Sequence, residues 1–302
     1  MTELTQNQTL RAGLYMVVTT ACFVGGDTCI KLIGMTLPLG EIIGLVGLVS
    51  TLSIFVICAL QGMLKSVGLI FSRAIMLRST LDVTGSFMFV AALMHMPLAN
   101  ISSVMQSVPL VVAAFAVVFL GERAGFARVA AVVAGFIGVL LIVKPTPQTI
   151  SIYEFLAIGT VVVVALRDLV TKRIGGHVPL LIIALGNAVF ITLGGFGFGL
   201  MQGFQGVDIW QMELLAGAGL LVTCGYILIV ATVRLGELSA TAPFRYAEVV
   251  FAIIAGILVF NEYPDLLSYA GMALIVAAGL YAAHNEATHS GDAKADLMPP
   301  AF

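Results

Sequence analysis

Apolar stretches about twenty residues long follow one another along nearly the whole chain, and no other feature of the sequence constrains the fold as much. A helix needs about 20 residues to cross the hydrocarbon of a bilayer. Ten such segments can be laid out, at 12–33, 38–60, 72–95, 98–120, 126–143, 152–172, 178–201, 211–234, 239–260 and 266–284. Short loops carrying Gly, Pro or charge separate them, among them Gln61-Gly62, Lys144-Pro145, Gly175-Gly176 and Glu262-Tyr263-Pro264. The expected fold is an all-α integral membrane protein of ten transmembrane helices, followed by a polar tail over 285–302 that is expected to be disordered. Charge agrees with this. Only 10% of the residues are charged, against roughly 25% in soluble domains, too few to clothe a water-exposed surface of this size. The apolar run after Arg11, with Thr20-Ala21-Cys22 inside it, has features of a secretory signal. Because the apolar pattern then continues for almost the whole chain, it reads as the first membrane helix.

Several functional classes fall away. The net charge is -2 and no basic stripe is present, so a nucleic-acid partner is not expected. Cys22, Cys29, Cys58 and Cys224 all lie in apolar segments without CxxC spacing, which reads as buried small hydrophobes rather than disulfides or a metal site. No glycine cluster has P-loop spacing, so ATP binding in that mode is excluded. His95, His177, His284 and His289 are too scattered to hold a metal together, and no Ser-His-Asp or HExxH arrangement occurs. No catalytic residue, metal or cofactor is expected. The partners are the lipid bilayer and a small-molecule substrate, with monomer and homodimer both open. Gly40/Gly44 and Gly195/Gly199/Gly203 have the four-residue spacing that lets membrane helices approach closely, as ordinary packing or as a dimer face.

Orientation follows from the basic residues of the loops. With the N-terminus inside, Arg11, Lys65, Arg73, Arg123, Arg128, Lys172, Arg173 and Arg234 lie at cytoplasmic ends, and only Lys31 and Lys144 lie outside. Both termini are then cytoplasmic. Trp210 and Tyr153 fall at the outer interface, where amphipathic rings prefer to sit.

The two halves, 12–143 and 152–284, match at an offset of 140 to 141 residues. Asp27…Lys31 faces Asp168…Lys172, both D-x-x-x-K; Pro38-Leu39 faces Pro179-Leu180; Leu98 faces Leu238; Glu122 faces Glu262. Each half has five helices, an odd number, so the halves insert with opposite orientation, as in many secondary transporters. Each copy can adopt the other's conformation, which exposes a central site to the opposite side. Asp27 and Lys31 fall at the outer end of segment 1, and Asp168 and Lys172 at the inner end of segment 6. Glu122 is inner and Glu262 outer. These six residues are expected to belong to two gates; the alternative is simple i,i+4 neutralisation at helix ends, with the lysines snorkelling to the interface.

Charges within the bilayer are costly and tend to mark a pathway. Arg78 and Asp82 on segment 3, Gln106 on segment 4, Asn187 on segment 7, Tyr226 on segment 8 and the group Phe244, Arg245, Tyr246 and Glu248 on segment 9 are the candidate substrate-binding residues. Arg245 and Glu248 are i,i+3 and able to pair, beside Pro243, whose missing N–H frees a carbonyl and bends a helix. Aromatic rings beside a charge suit a flat heteroaromatic ligand; an internal ion pair that locks the helix is the other reading. Asp82 and Glu248 are candidates for proton coupling.

The segments Pro109 to Glu122 (PLVVAAFAVVFLGE) and Ile254 to Glu262 (IAGILVFNE), within two halves of five helices, resemble the EamA-type drug/metabolite transporter superfamily. Ala240 to Glu248 (ATAPFRYAE), then Phe260 to Asp265 (FNEYPD), look like the bacterial S-adenosylmethionine uptake members, whose broad group includes riboflavin importers. The resemblance spans residues 12–284 and implies secondary transport through a central cavity in the bacterial inner membrane. The Ala/Gly/Val-rich composition is unlike the Lys/Ile/Asn-rich chains of obligate intracellular bacteria, which favours riboflavin import over S-adenosylmethionine uptake. Export of amino acids or metabolites is the further alternative.

Overall fold

The computed structural model describes residues 2–120, 126–144, 151–172, 174, 178–235 and 238–296. Among these, all regular structure is helical. The first half holds α1 (Thr2–Ile33), α2 (Leu39–Leu60), α3 (Arg73–His95), α4 (Leu98–Met105), α5 (Val108–Leu120) and α6 (Phe126–Val143). The second holds α7 (Ile152–Lys172), α8 (Leu180–Gln202), α9 (Ile209–Leu235), α10 (Leu238–Arg245), α11 (Ala247–Phe260) and α12 (Leu266–Asp296). Eight spans are long and apolar enough to cross a membrane, counting the Leu98–Phe115 and Pro243–Phe260 stretches. The remaining two helices are α6, whose apolar part Val129–Val143 is short, and α7, which carries Glu154, Arg167, Asp168 and Lys172.

Three features differ from expectation. Segments 4 and 9 are each broken in two, at Gln106-Ser107 and at Tyr246. The region after residue 284 continues as helix to Asp296, past the end of the apolar stretch. A 3-10 segment, Met63–Phe71, lies between α2 and α3 and buries Ile70.

Both breaks fall at the same place in the repeat. Leu98 and Leu238 open half-helices of 8 residues each, and Gln106 and Tyr246 stand 140 positions apart. At each break the backbone tightens to i→i−3 bonds, from Ser107 N–H to the Val104 carbonyl (3.0 Å) and from Tyr246 N–H to the Pro243 carbonyl (3.3 Å). Proline is a local cause of the first break. Pro109 cannot donate to Met105, and Pro243 cannot donate within α10.

Packing follows a twofold plan. Helices α2 and α8 occupy equivalent places in the two halves and pack on each other, as do α6 and α12. The contact of α1 with α9 is matched by that of α7 with α3, and α1 against α10 and α11 is matched by α7 against α4 and α5. Each pairing joins the first half to the second or repeats the same relation with the halves exchanged, so the core lies between them. At the α2–α8 crossing a first side-chain carbon at Gly40 would overlap the Gly199 backbone, and one at Gly195 would overlap Gly44. The four-residue glycine spacing is thus used inside the chain. Consecutive membrane segments run antiparallel, so both chain ends lie on one face, here the terminal face; the other is the distal face.

Candidate functional site

On the distal face one cluster of polar contacts ties together the ends of four helices. Lys31 Nζ, near the end of α1, donates to Glu262 Oε1 at 2.6 Å and to the Met96 carbonyl at 2.5 Å. The other carboxylate oxygen of Glu262 accepts from the Leu98 backbone N–H at 2.8 Å, an otherwise unpaired donor at the start of α4. The Phe260 ring lies 5.0 Å from the ammonium. A local turn aims Glu262 here. Asn261 takes the left-handed conformation (φ 53°), and Glu262 N–H bonds back to the Gly256 carbonyl at 2.9 Å, the usual device for ending a helix. Ends of α1, α3, α4 and α11 are thereby tied together by two side chains. Lys31 is 9% exposed and Glu262 23%, so the pair is largely shielded from water.

Below this cluster the two broken helices meet. Gln106, at the break between α4 and α5, donates from Nε2 to Glu248 Oε2 at 2.7 Å. Glu248 stands in the first turn of α11, where the positive end of the half-helix dipole favours a carboxylate. Breaking both helices thus opens two turns of backbone beside each other and places a carboxylate and an amide there.

A cavity of about 160 Å³ lies between α1, α2, α3, α8 and α9. Its walls are mostly aliphatic, with Asp27, Ser50, Ser86, Asn187 and Tyr226 as the polar members and Phe89 as a second ring. Asn187 Nδ2 approaches the Tyr226 hydroxyl at 3.4 Å, and Asn187 Oδ1 is buried with no hydrogen-bond partner. Ligand pockets usually run to roughly 300–1,000 Å³, so the space here is smaller than most.

Toward the terminal face the cavity ends on an ion network. Arg167 Nη1 donates to Asp82 Oδ1 at 2.6 Å, and its Nη2 and Nε bond Asp168 Oδ1 at 2.8 and 3.0 Å. Arg78 Nη1 reaches Asp82 Oδ2 at 3.5 Å, and its Nε donates to Thr171 Oγ1 at 3.1 Å. Two cations face two anions, so the group is neutral as a whole. This offsets the cost of placing each charge in the membrane, roughly 2.5–3.5 kcal/mol. Tyr226 is electrostatically coupled to the network and links it to the cavity wall.

The sequence-predicted residues therefore divide. Asn187 and Tyr226 line the cavity. Gln106 and Glu248 bond each other at the helix breaks. Arg78 and Asp82 belong to the ion network with Asp168, joined by Arg167. The expected neighbourhood of Phe244, Arg245 and Tyr246 around a ligand does not form. The Phe244 ring lies on Gly13, the Tyr246 hydroxyl sits against Gly279 of α12, and Arg245 is exposed. No ion pair joins Arg245 to Glu248 among the described residues, though the two charges remain coupled. Of the gate residues, Lys31 and Glu262 pair. Asp27 lines the cavity instead of neutralising Lys31. Glu122 and the Lys172 side chain lie outside the described residues. The sequence reading missed Ser50, Ser86 and Phe89. A serine on an apolar helix carries little signal, since its hydroxyl can bond the backbone of its own or a neighbouring helix, as Ser50 does with Gly219 (3.1 Å).

Comparison with known proteins bears on the same regions. The EamA-like transporter family matches residues 10–144 and again 151–282. A riboflavin transporter of Rhizobium johnstonii is 28% identical over 209 residues, covering 69% of each chain. An S-adenosylmethionine uptake transporter of Rickettsia bellii is 23% identical over 196 residues, covering 63% of this chain and 65% of the relative, so this chain spans just under two thirds of that relative's length. A pseudopaline exporter of Pseudomonas aeruginosa is 25% identical over 280 residues, covering 89% of this chain and 95% of the relative. One crystal structure superposes with a TM-score of 0.61 at 17% identity, covering 91% of this chain and 97% of the other, a likeness of fold.

Proposed function

Since the chain belongs to the EamA-like transporter family, we propose that it is a secondary transporter of the bacterial inner membrane, with both termini cytoplasmic, that imports a small heteroaromatic metabolite by alternating access. The observation that carries this reading is the arrangement of the cavity. It lies between two inverted halves and beneath a distal face that four helix ends and two side chains hold shut. Opening that cluster while the opposite ends close carries the cavity from one side of the membrane to the other without a channel ever forming. The repeat provides the second half of the cycle, with Lys172 and Glu122 as the counterparts of Lys31 and Glu262. The basic residues of the loops support the cytoplasmic placement of the terminal face.

Riboflavin is the first substrate to test, on the strength of the Rhizobium relative. S-adenosylmethionine is the second, favoured by the acidic Asp27 in the cavity wall. Both carry a heteroaromatic ring joined to a hydroxylated five-carbon unit. The pseudopaline exporter among the relatives makes direction a separate question. The experiment is uptake of each labelled compound by bacteria that lack their own route for it and express this chain, with Lys31→Ala beside the wild type at matched membrane abundance. Accumulation of either compound by the wild type, and its loss in the variant, is the expected result. Faster efflux than in control cells would reverse the direction, and no flux of either compound either way would remove both substrates.

A further inference from the structure

The cavity wall holds an acid that the protein does not neutralise. Asp27 is the one charged residue lining it among the described residues. The base that the sequence offers, Lys31, is turned away to Glu262 and the Met96 carbonyl. The repeat-related acid is treated differently: Asp168 is bonded by Arg167 through two nitrogens. No hydrogen bond or ion pair joins Asp27 to any described residue, and its charged neighbour is another acid, Glu248. Asn187 also lines the cavity, is 1% exposed, and has an amide oxygen that is buried with no hydrogen-bond partner. Buried polar groups are almost always hydrogen-bonded, and a buried carboxyl without a partner either holds its proton or calls for an opposite charge. Both unpaired groups are acceptors. Phe89 and Tyr226 add ring faces, which attract cations through their quadrupoles. An anion would meet repulsion here. A neutral ring would fill the space and leave the carboxylate unanswered.

Resting on the transport reading above, we infer that the cavity recognises an organic cation, with Asp27 as its counter-charge and Asn187 Oδ1 as the acceptor for a donor hydrogen beside it. The class is a small metabolite bearing an ammonium, amidinium or sulfonium group. A sulfonium carries its charge without N–H donors and would rest on Asp27 and the ring faces, leaving its amine to Asn187.

The test uses purified full-length protein and pairs of probes of similar shape that differ in charge. S-adenosylmethionine is set against S-adenosylhomocysteine, its uncharged thioether, and putrescine against 1,4-butanediol, with riboflavin as a neutral heteroaromatic. Binding to the native state raises apparent thermal stability by mass action, and titration of each shift yields an affinity. At least one cation is expected to stabilise the wild type at least tenfold more tightly than its neutral counterpart. Asp27→Asn is expected to remove that preference, and Asp27→Glu, which keeps the charge, to retain most of it. Equal binding of charged and neutral partners, or a preference that survives in Asp27→Asn, overturns the inference. Binding of riboflavin alone, unchanged by Asp27→Asn, also overturns it but leaves the transport reading standing. If no probe binds a wild-type protein that unfolds cooperatively, both fall.

Discussion

Lys31 stands four residues after Asp27, the spacing at which a helix pairs opposite charges, and its ammonium goes elsewhere. That choice gives Lys31 a role with a measurable consequence. In a cysteine-free background, Ile30→Cys places a thiol in the cavity wall. Adding Lys31→Ala is expected to raise its labelling by a membrane-impermeant maleimide several-fold, because Glu262 loses its partner and the distal cluster its centre. Unchanged labelling would mean that packing alone keeps this face shut. Arg245 gives the opposite expectation. It is exposed and makes no ion pair with Glu248, so Arg245→Ala should leave the initial uptake rate within about twofold, since surface substitutions are usually near neutral. At the edge of the membrane, Asp265 pairs with Lys144 and accepts from Ser268 N–H at 2.9 Å. The hydrogen bonds from Lys144 and Ser268 lower its carboxyl pKa to about 2. A carboxylate whose pKa falls on folding stabilises the native state above its unfolded pKa, about 3.9, and loses that effect as pH drops toward the folded value. Asp265→Ala should therefore lower the thermal midpoint slightly at pH 7, and the gap from wild type should begin to close only below about pH 4. A gap that already narrows between pH 7 and pH 5 would point to another group. Residue types were legible in the sequence, and partners much less so. Glu262 and Lys31 carried a signal through the repeat, and Asn187 through its polarity within an apolar run. Phe244 and Tyr246 flank the break at Tyr246 and lie against α1 and α12, a direction that residue type alone does not give.

The ten apolar segments could be read from hydropathy because lipid leaves few alternatives for a stretch of that length. Their interruption was harder to see. Segment 4 is apolar on both sides of the break, segment 9 strongly so only after it, and hydropathy averages across both breaks. At the first break what decides the matter is the backbone donor missing at Pro109. The continuation of α12 to Asp296 escaped for a related reason, since polarity marks the end of the membrane and not the end of a helix. The α2–α8 crossing was legible as a spacing, and only the packing shows that it joins the two halves of one chain. Its tolerance is small. A methyl group at Gly195 meets the backbone of Gly44, which cannot rotate aside as a side chain would. Gly195→Ala is expected to destabilise the protein by about 1–3 kcal/mol, the usual range for overpacking, read as a lower thermal midpoint in detergent. Gly197→Ala two residues on, where nothing lies within 4 Å, is the control and should leave the midpoint unchanged or slightly higher.

At the scale of the whole molecule the two halves are copies that here hold different partners. The distal cluster is made. Its counterpart through the repeat, Lys172 with Glu122, is expected to form when the distal one opens. Paired cysteines test this directly. Lys31→Cys/Glu262→Cys joined by a thiol-reactive bridge as long as the lost side-chain pair should restore the closed distal face, and conditions that trap the other state should weaken that link and strengthen the same bridge at Lys172→Cys/Glu122→Cys. Links that rise together would contradict a single exchange between two states. Such an exchange requires the halves to roll over each other thousands of times without wear. The glycines at the α2–α8 crossing bear on this in mechanical terms. Where backbone lies on backbone, as at Gly40/Gly199 and Gly44/Gly195, there is no side chain between the helices to change rotamer, and that part of the surface keeps its shape as it turns. The crossing serves as a plain bearing, with little friction and little play, and the work of holding each position falls to the latches at the ends.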